Sequence, residues 1–296
     1  MKYAHVLTEL TGVPWAIQFE KFQAISAFLD AKVAGQDIAA ADIRAMTEAA
    51  AARANPRSAG AVAVLPLVGA IFPRANLMTE MSGGVSLDRW MGVLRSLVAD
   101  LGVKAIILDV DSPGGSSAGM DEAAAEIYSS RANKPIIAVA NTMMASAAYN
   151  LGAAATEVVA SPSALVGSIG VYMLHVDYSA ANAAAGINPT YISAGRDKVL
   201  GNEDTPLGAE GRDYLQGIVD QTYDRFAAAV AKHRGVPKSA VTSGYGHGRV
   251  LSATDAIKAG MIDRIATLDE TIARFAGGGQ VARASSRARA LQLAGS

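Results

Sequence analysis

Between residues 61 and 176 the chain alternates short, almost wholly apolar runs with stretches whose apolar residues recur every three or four positions. The runs Ala61–Val68, Lys104–Val110, Lys134–Ala140, Glu157–Ala160 and Ile169–Val176 read as strands, because short apolar runs bounded by polar or turn residues suit a strand buried on both faces. Between them, Leu87, Trp90, Leu94, Leu97 and Val98 share one helical face behind a capping Ser86, and a second helix is expected over 118–130. A third opens near Ser146, and Thr190–Ser193 reads as a further strand. Strands alternating with helices require crossover connections, so the expected class is α/β, with a largely parallel sheet of βαβ units.

The periodicity changes at both ends. Residues 1–60 read as an N-terminal helical arm in which Phe22, Ile25, Phe28 and Leu29 fall on one face, followed by an Ala-rich helix from 40 to 53 that stops at Asn55-Pro56. The packing face of that second helix is thin, so it is expected to dock on a neighbouring surface or on another protomer. Residues 208–234 read as one long amphipathic helix, with Leu215, Ile218, Val219, Tyr223, Phe226 and Val230 on one side and Gly235 and Pro237 at its end. After Glu270 no acidic residue remains, while Arg274, Arg283, Arg287 and Arg289 do. The expected organisation is an arm (1–60), an α/β domain (61–270) and a flexible basic tail (271–296).

Composition removes several chemistries. Of 296 residues, 51% are hydrophobic and 18% charged, the balance of a packed globule. A formal net charge of −1 leaves no electrostatic footprint for nucleic acid, and the basic tail reads as solubilising. The absence of cysteine excludes disulfides, a thiol nucleophile and thiolate zinc sites. His5, His175, His233 and His247 stand singly, outside any metal-binding motif, and read as surface or satisfied core residues. No cofactor or metal is expected. Glu9 and Glu20 interrupt any signal-peptide pattern, and no run reaches the roughly 18 apolar residues that span a bilayer. No membrane partner is therefore expected, and the location is expected to be cytoplasmic.

Four segments carry candidate chemistry. Asp111-Ser112-Pro113-Gly114-Gly115 follows a buried strand, and glycine turns can present backbone N–H groups to a developing oxyanion. The same segment also suits a plain strand-to-helix turn. Ser146 in Met144-Ala145-Ser146-Ala147-Ala148-Tyr149 stands where a strand gives way to a helix, a position open to a nucleophile whose next N–H, that of Ala147, faces the oxyanion. A simple helix cap is the competing reading. Lys198 in Gly195-Arg196-Asp197-Lys198 is a general base only if burial favours its neutral form. In Gly167-Ser168-Ile169-Gly170, Ser168 can orient a neutral lysine, or the segment is only a turn into a strand.

Taken in this order, with Gly248–Asp263 behind the long helix, these motifs resemble the signal peptide peptidase A family over about residues 61–268. The resemblance is nearest to its branch of capsid-assembly proteases from tailed phages. It implies a ClpP/crotonase-like fold and a serine peptidase with a Ser–Lys dyad. The nucleophile falls on Ser146, the base on Lys198 and the supporting serine on Ser168. The oxyanion donors fall on Ala147 and the Gly114-Gly115 pair, with the donating glycine left open. It also implies a closed homo-oligomer with the dyad shared between protomers, and a polypeptide substrate such as a capsid or scaffold protein. Ala147 and Ala148 stand where the family commonly has glycine, which leaves the N–H in place and fills the cleft floor slightly. The membrane anchor of some family members has no counterpart here, which turns the expectation from signal-peptide degradation towards the phage role. Two further alternatives are an acyl-CoA enzyme of the crotonase fold using Asp121 or Glu122, and a non-catalytic capsid-associated protein.

Overall fold

In the computed structural model, residues 10–33, 55–75, 79 and 84–277 are described. Three of the apolar runs lie side by side and parallel: β3 (Val62–Val68), β6 (Ala105–Ser112) and β8 (Ile136–Ala145), with Ile107 opposite Val64 on one side and Ile137 on the other. Their side chains alternate between two cores. Ile106, Leu108 and Val110 point to one, and Ala105 and Ile107 to the other. Both faces are covered, which is why the runs are continuously apolar rather than alternating. Helices α2 (Leu87–Ala99), α3 (Met120–Ser130), α4 (Ala147–Ala153) and the end of α6 (Ala209–Arg234) supply the first core. Leu268 of α9 (Leu268–Ala276) closes the second against Val62, Ile107 and Val159.

The main sheet runs β11 (Val250–Ser252), β10 (Leu165–Gly167), β8, β6, β3, β2 (Arg57–Ala59). Strand β8 is shared lengthwise. Its first half pairs with β9 (Glu157–Ala160), which carries β12 (Arg264–Ile265), and its second half pairs with β10. Between the halves the register against β6 shifts, so that Val110 opposes Ala140 but Asp111 opposes Met143. The displaced Asn141 and Thr142 donate to Asp109 and Asp111. A smaller sheet, β1 (Trp15–Ile17), β7 (Gly114–Ser116), β4 (Ile71–Phe72) and β5 (Val85–Ser86), stands at the C-terminal ends of these strands.

Element ends follow local chemistry. Ser86 caps α2, and Trp90 donates its indole N–H to the Pro66 carbonyl at 2.7 Å. Helix α6 stops at Gly235, whose φ of 67° a β-carbon would disfavour. The preceding Arg234 is buried, its guanidinium bonded to Asp263 at 2.9 and 3.0 Å and to the Gly260 carbonyl at 3.0 Å. A buried guanidinium is tolerated only when paired in this way.

Several expectations shift. Residues 1–60 are not helical throughout: β1 precedes α1 (Phe19–Val33), and Phe22 packs with Trp15, Phe72 and Tyr172 on the same chain. The helix expected at 40–53 lies outside the described residues, as does most of the tail, while α9 runs across the 270/271 boundary. Ile169–Val176 is no continuous strand. It makes only isolated bridges, Tyr172 to Trp15 and Leu174 to Thr11, because no neighbouring strand runs along it. Thr190–Ser193 is exposed and unpaired, with Ile192 99% accessible. The first half of α6 projects beyond the core, so Leu215, Ile218 and Val219 are only half-buried. Among the described residues no helix is long and apolar enough to cross a membrane.

His233 gives the fold an expected pH dependence. It stacks on Tyr128 at 4.9 Å, and burial, reinforced by Lys232 and Arg131, lowers its pKa from 6.5 to about 4. The unfolded chain binds this proton more readily. The contribution is therefore complete above about pH 6.5 and is lost as the pH falls towards 4. We expect the thermal midpoint to fall between pH 7 and pH 4.5, and the His233→Phe chain to lose part of that fall. Equal pH dependence of the two chains by calorimetry would contradict this.

Candidate active site

Strand β8 ends at Ala145 and α4 begins at Ala147, so Ser146 alone makes the turn, at φ 55° and ψ −120°. Residues bearing a β-carbon avoid this region at a cost of about 1–3 kcal/mol, and the surroundings must hold it there. The Ser146 N–H donates to the Gly167 carbonyl at 2.6 Å, and the Asn150 N–H holds the Ser146 carbonyl at 3.1 Å. Every residue of α4 is buried. Tyr149 donates to the Met261 carbonyl at 2.8 Å, and Asn150 donates to Asp121, which also pairs with Arg225 at 3.5 Å. The Ser146 hydroxyl caps nothing. It lies 3.5 Å from the Gly170 carbonyl, on a residue 1% exposed, so the helix-cap reading does not hold.

Against this serine stands the glycine turn. Gly114 has φ 99°, and a β-carbon there would come 2.9 Å from the Ser146 Cβ and 2.2 Å from the Ala16 carbonyl oxygen. A β-carbon on Gly115 would sit 1.9 Å from the Ile71 carbonyl oxygen. Neither position admits a side chain. The turn is braced by Ser112, whose hydroxyl donates to the Gly69 carbonyl at 2.7 Å and accepts the Gly114 N–H at 3.3 Å. Ala147, as the first residue of a helix, has no intrahelical acceptor for its N–H.

Parallel pairing sets Gly167 beside Ala145, which brings Ser168 to the position next to Ser146. Ser168 also has a positive φ, 54°, fixed by its N–H on the Arg249 carbonyl at 2.8 Å. Lys198 is not gathered in. It lies exposed on the turn after Gly195, and within the single chain no hydrogen bond joins it to Ser146. Arg196 beside it is engaged by Asp197 at 2.8 Å. Two parts of the site escaped the sequence reading: the Tyr172 backbone and the N-terminal strand at Trp15–Ile17. The apolar run Val13–Ile17 after Gly12 was the available signal for the latter.

A buried serine on a strained strand-to-helix turn, packed on a glycine turn above a parallel sheet, is the candidate site of this α/β protein. The chain belongs to peptidase family S49, whose family model matches residues 129–282. It is similar to the head-tail preconnector protein GP5 of Enterobacteria phage P21, 35% identical over 220 residues (74% of this chain, 44% of the relative). Capsid assembly protease C of Escherichia phage lambda is 33% identical over 254 residues (84% and 57%), and Protease 4 of Haemophilus influenzae 29% over 196 residues (65% and 31%). The chain spans about half the length of the phage relatives it matches. Among solved structures, an enoyl-CoA hydratase/isomerase family protein from Silicibacter pomeroyi aligns at TM-score 0.44 and 18% identity, covering 79% of this chain and 85% of its own.

The strain at Ser146 has a measurable signature. Glycine accepts φ 55° freely and alanine does not, so Ser146→Gly should raise stability by about 1 kcal/mol after its own entropic cost, whereas Ser146→Ala should not. Equal stability of the two variants in urea unfolding would mean that the turn is unstrained.

Proposed function

We propose that the chain is a serine endopeptidase in which Ser146 is the nucleophile and Lys198 of an adjacent protomer is the base. The observation that carries this reading is the contact between Ser146, in its disfavoured backbone conformation, and the β-carbon-free face of Gly114. Strain kept at a buried hydroxyl that caps nothing supports a nucleophile set beside the glycine turn and the first N–H of the helix.

In the proposed reaction, neutral Lys198 takes the Ser146 proton as Oγ attacks a peptide carbonyl carbon. The N–H groups of Gly115 and Ala147 hold the oxyanion, and the lysine returns the proton to the leaving amine. Water then enters by the same route and releases the acyl group, regenerating the serine. Gly115 is the better placed of the two glycines, because the Gly114 N–H already serves Ser112. Ser168, at the register position beside Ser146, hydrogen-bonds the neutral amine. Asp121 is engaged with Asn150 and Arg225, and Glu122 is exposed. Neither carboxylate therefore supports acid–base chemistry of the acyl-CoA kind.

The exposed position of Lys198 favours a dyad completed by assembly, since burial between protomers would favour the uncharged amine. The projecting half of α6 and the exposed Ile187, Tyr191 and Ile192 belong to the same part of the chain and supply apolar surface for such contacts. By analogy with the phage relatives, we place the substrate among capsid or scaffold polypeptides, cleaved in the host cytoplasm or inside a procapsid.

Ser146→Ala and Lys198→Ala chains should each be inactive on peptides, with Lys198→Arg nearly so because a guanidinium stays protonated. Mixing the two alanine variants under subunit exchange should restore a fraction of wild-type hydrolysis. No recovery, or full activity in a sedimenting monomer, would contradict the shared dyad.

A further inference from the structure

The backbone beside Ser146 is already paired with the chain's own N-terminal strand. Strand β7 has two edges. One is taken by β4, through Ile71 opposite Gly115, and the other, which faces the nucleophile side, is held by β1. The antiparallel register pairs Ile17 with Gly114, Ala16 with Gly115 and Trp15 with Ser116. Ladder bonds bracket the middle of this pairing. The Gln18 N–H donates to the Pro113 carbonyl at 2.9 Å, and the Ser117 N–H donates to the Pro14 carbonyl at 3.3 Å. Hydrogen-bonded pairs alternate along an antiparallel ladder, so Ala16 and Gly115 form the exchange pair between them. The Gly115 N–H therefore faces the Ala16 carbonyl.

That carbonyl and the Ser146 side chain converge on the same face of Gly114, the point where a β-carbon would meet both. The opposite edge of the segment is bonded as well. The Trp15 N–H donates to the Tyr172 carbonyl at 2.8 Å, and the Tyr172 N–H returns to the Trp15 carbonyl at 3.1 Å. Residues 14–18 thus lie as the middle strand between β7 and the Tyr172 backbone. The anchor is Trp15, 2% exposed, edge-on to Phe22 at 5.4 Å and Phe72 at 6.1 Å. Ala16, beside the serine, is wholly buried.

We propose that residues 10–18 are a pseudosubstrate strand. They occupy, in the chain's own groove, the place of an extended substrate, with Ala16 where the acyl residue of a scissile bond would lie, and they must leave before a peptide can bind. The inference rests on the peptidase reading for its functional meaning. It names the substrate class as an extended apolar segment with a small residue before the cut and a large aromatic one before that. Backbone pairing supplies sequence-independent affinity in such a groove, and the alternate side-chain pockets supply the preference.

A disulfide can pin the strand without touching the site. Pro14 and Ser117 face each other at a hydrogen-bonded position of the ladder, joined by the single bond that proline allows, and the Cα atoms of such positions typically stand about 5.5 Å apart, within disulfide range. The chain has no cysteine to compete. In a Ser146→Ala background, where binding is read without cleavage, Pro14→Cys with Ser117→Cys would be titrated with a fluorescein-labelled peptide of residues 13–18. The reduced form should bind, and the oxidised form should bind at least about tenfold more weakly, since apparent affinity scales with the fraction of open groove. Trp15→Ala, which removes the anchor, should bind several-fold more tightly than the unpinned chain. Equal affinity in both redox states, no binding by the reduced form, or failure of the disulfide to form in a chain with native circular dichroism would each overturn the proposal. With Ser146 restored, the reduced form should also hydrolyse the peptide. Binding without hydrolysis would remove the peptidase reading while leaving the pseudosubstrate strand in place.

Discussion

The site depends on one absence, the missing β-carbon at Gly114. The two sheets meet there, and the backbone of β7 can lie against the Ser146 side chain only because nothing projects between them. Any methyl group at that point would push on the Ser146 Cβ and on the Ala16 carbonyl together. Ser146 cannot yield, since its N–H is held by Gly167, its carbonyl by Asn150, and the helix that follows is buried along its whole length. The strained φ of the serine and the bare face of the glycine are therefore two halves of one constraint. The register shift between β6 and β8 serves the same end, because after two residues have been displaced from the ladder it sets Ser112 level with Met144, two residues before Gly114 and Ser146 respectively.

This tightly held serine contrasts with the segment that carries Lys198, the base we propose. Between residues 171 and 208 the chain has one short helix, α5 (Ser179–Ala184), with no buried residue, and it leaves Ile192 almost fully accessible. A segment with so few buried contacts is poorly specified by its own chain and takes its final arrangement from what packs on it. If the dyad is shared between protomers, as we propose, that covering surface is another copy of the protein. Assembly, rather than folding alone, then completes the site.

What the sequence made legible follows from this division. The central strands were readable because β3, β6 and β8 are buried on both faces and so are continuously apolar, and the end of α6 was readable from Gly235 and Pro237. Strand β8 runs five residues further than its apolar run suggested, because the polar Asn141 and Thr142 sit in a bulge bonded to Asp109 and Asp111. Apolar character alone could not say whether Ile169–Val176 had a strand to pair with, and it does not. Trp15–Ile17 is too short to show a period, and its role depends on an edge formed a hundred residues later. Motif order pointed to Ser146, but its positive φ, which a plain helix cap does not have, is a tertiary property invisible in Met144-Ala145-Ser146-Ala147.

Covalent labelling tests most directly whether the strained serine is the nucleophile. The assembled wild-type protein would be treated with a fluorophosphonate, digested, and the modified residue located by mass spectrometry. A single adduct on Ser146 is expected, formed in parallel with loss of peptide hydrolysis and absent from the Lys198→Ala protein. An adduct on another serine that tracks the loss of activity, or continued hydrolysis by a chain fully modified at Ser146, would contradict that assignment.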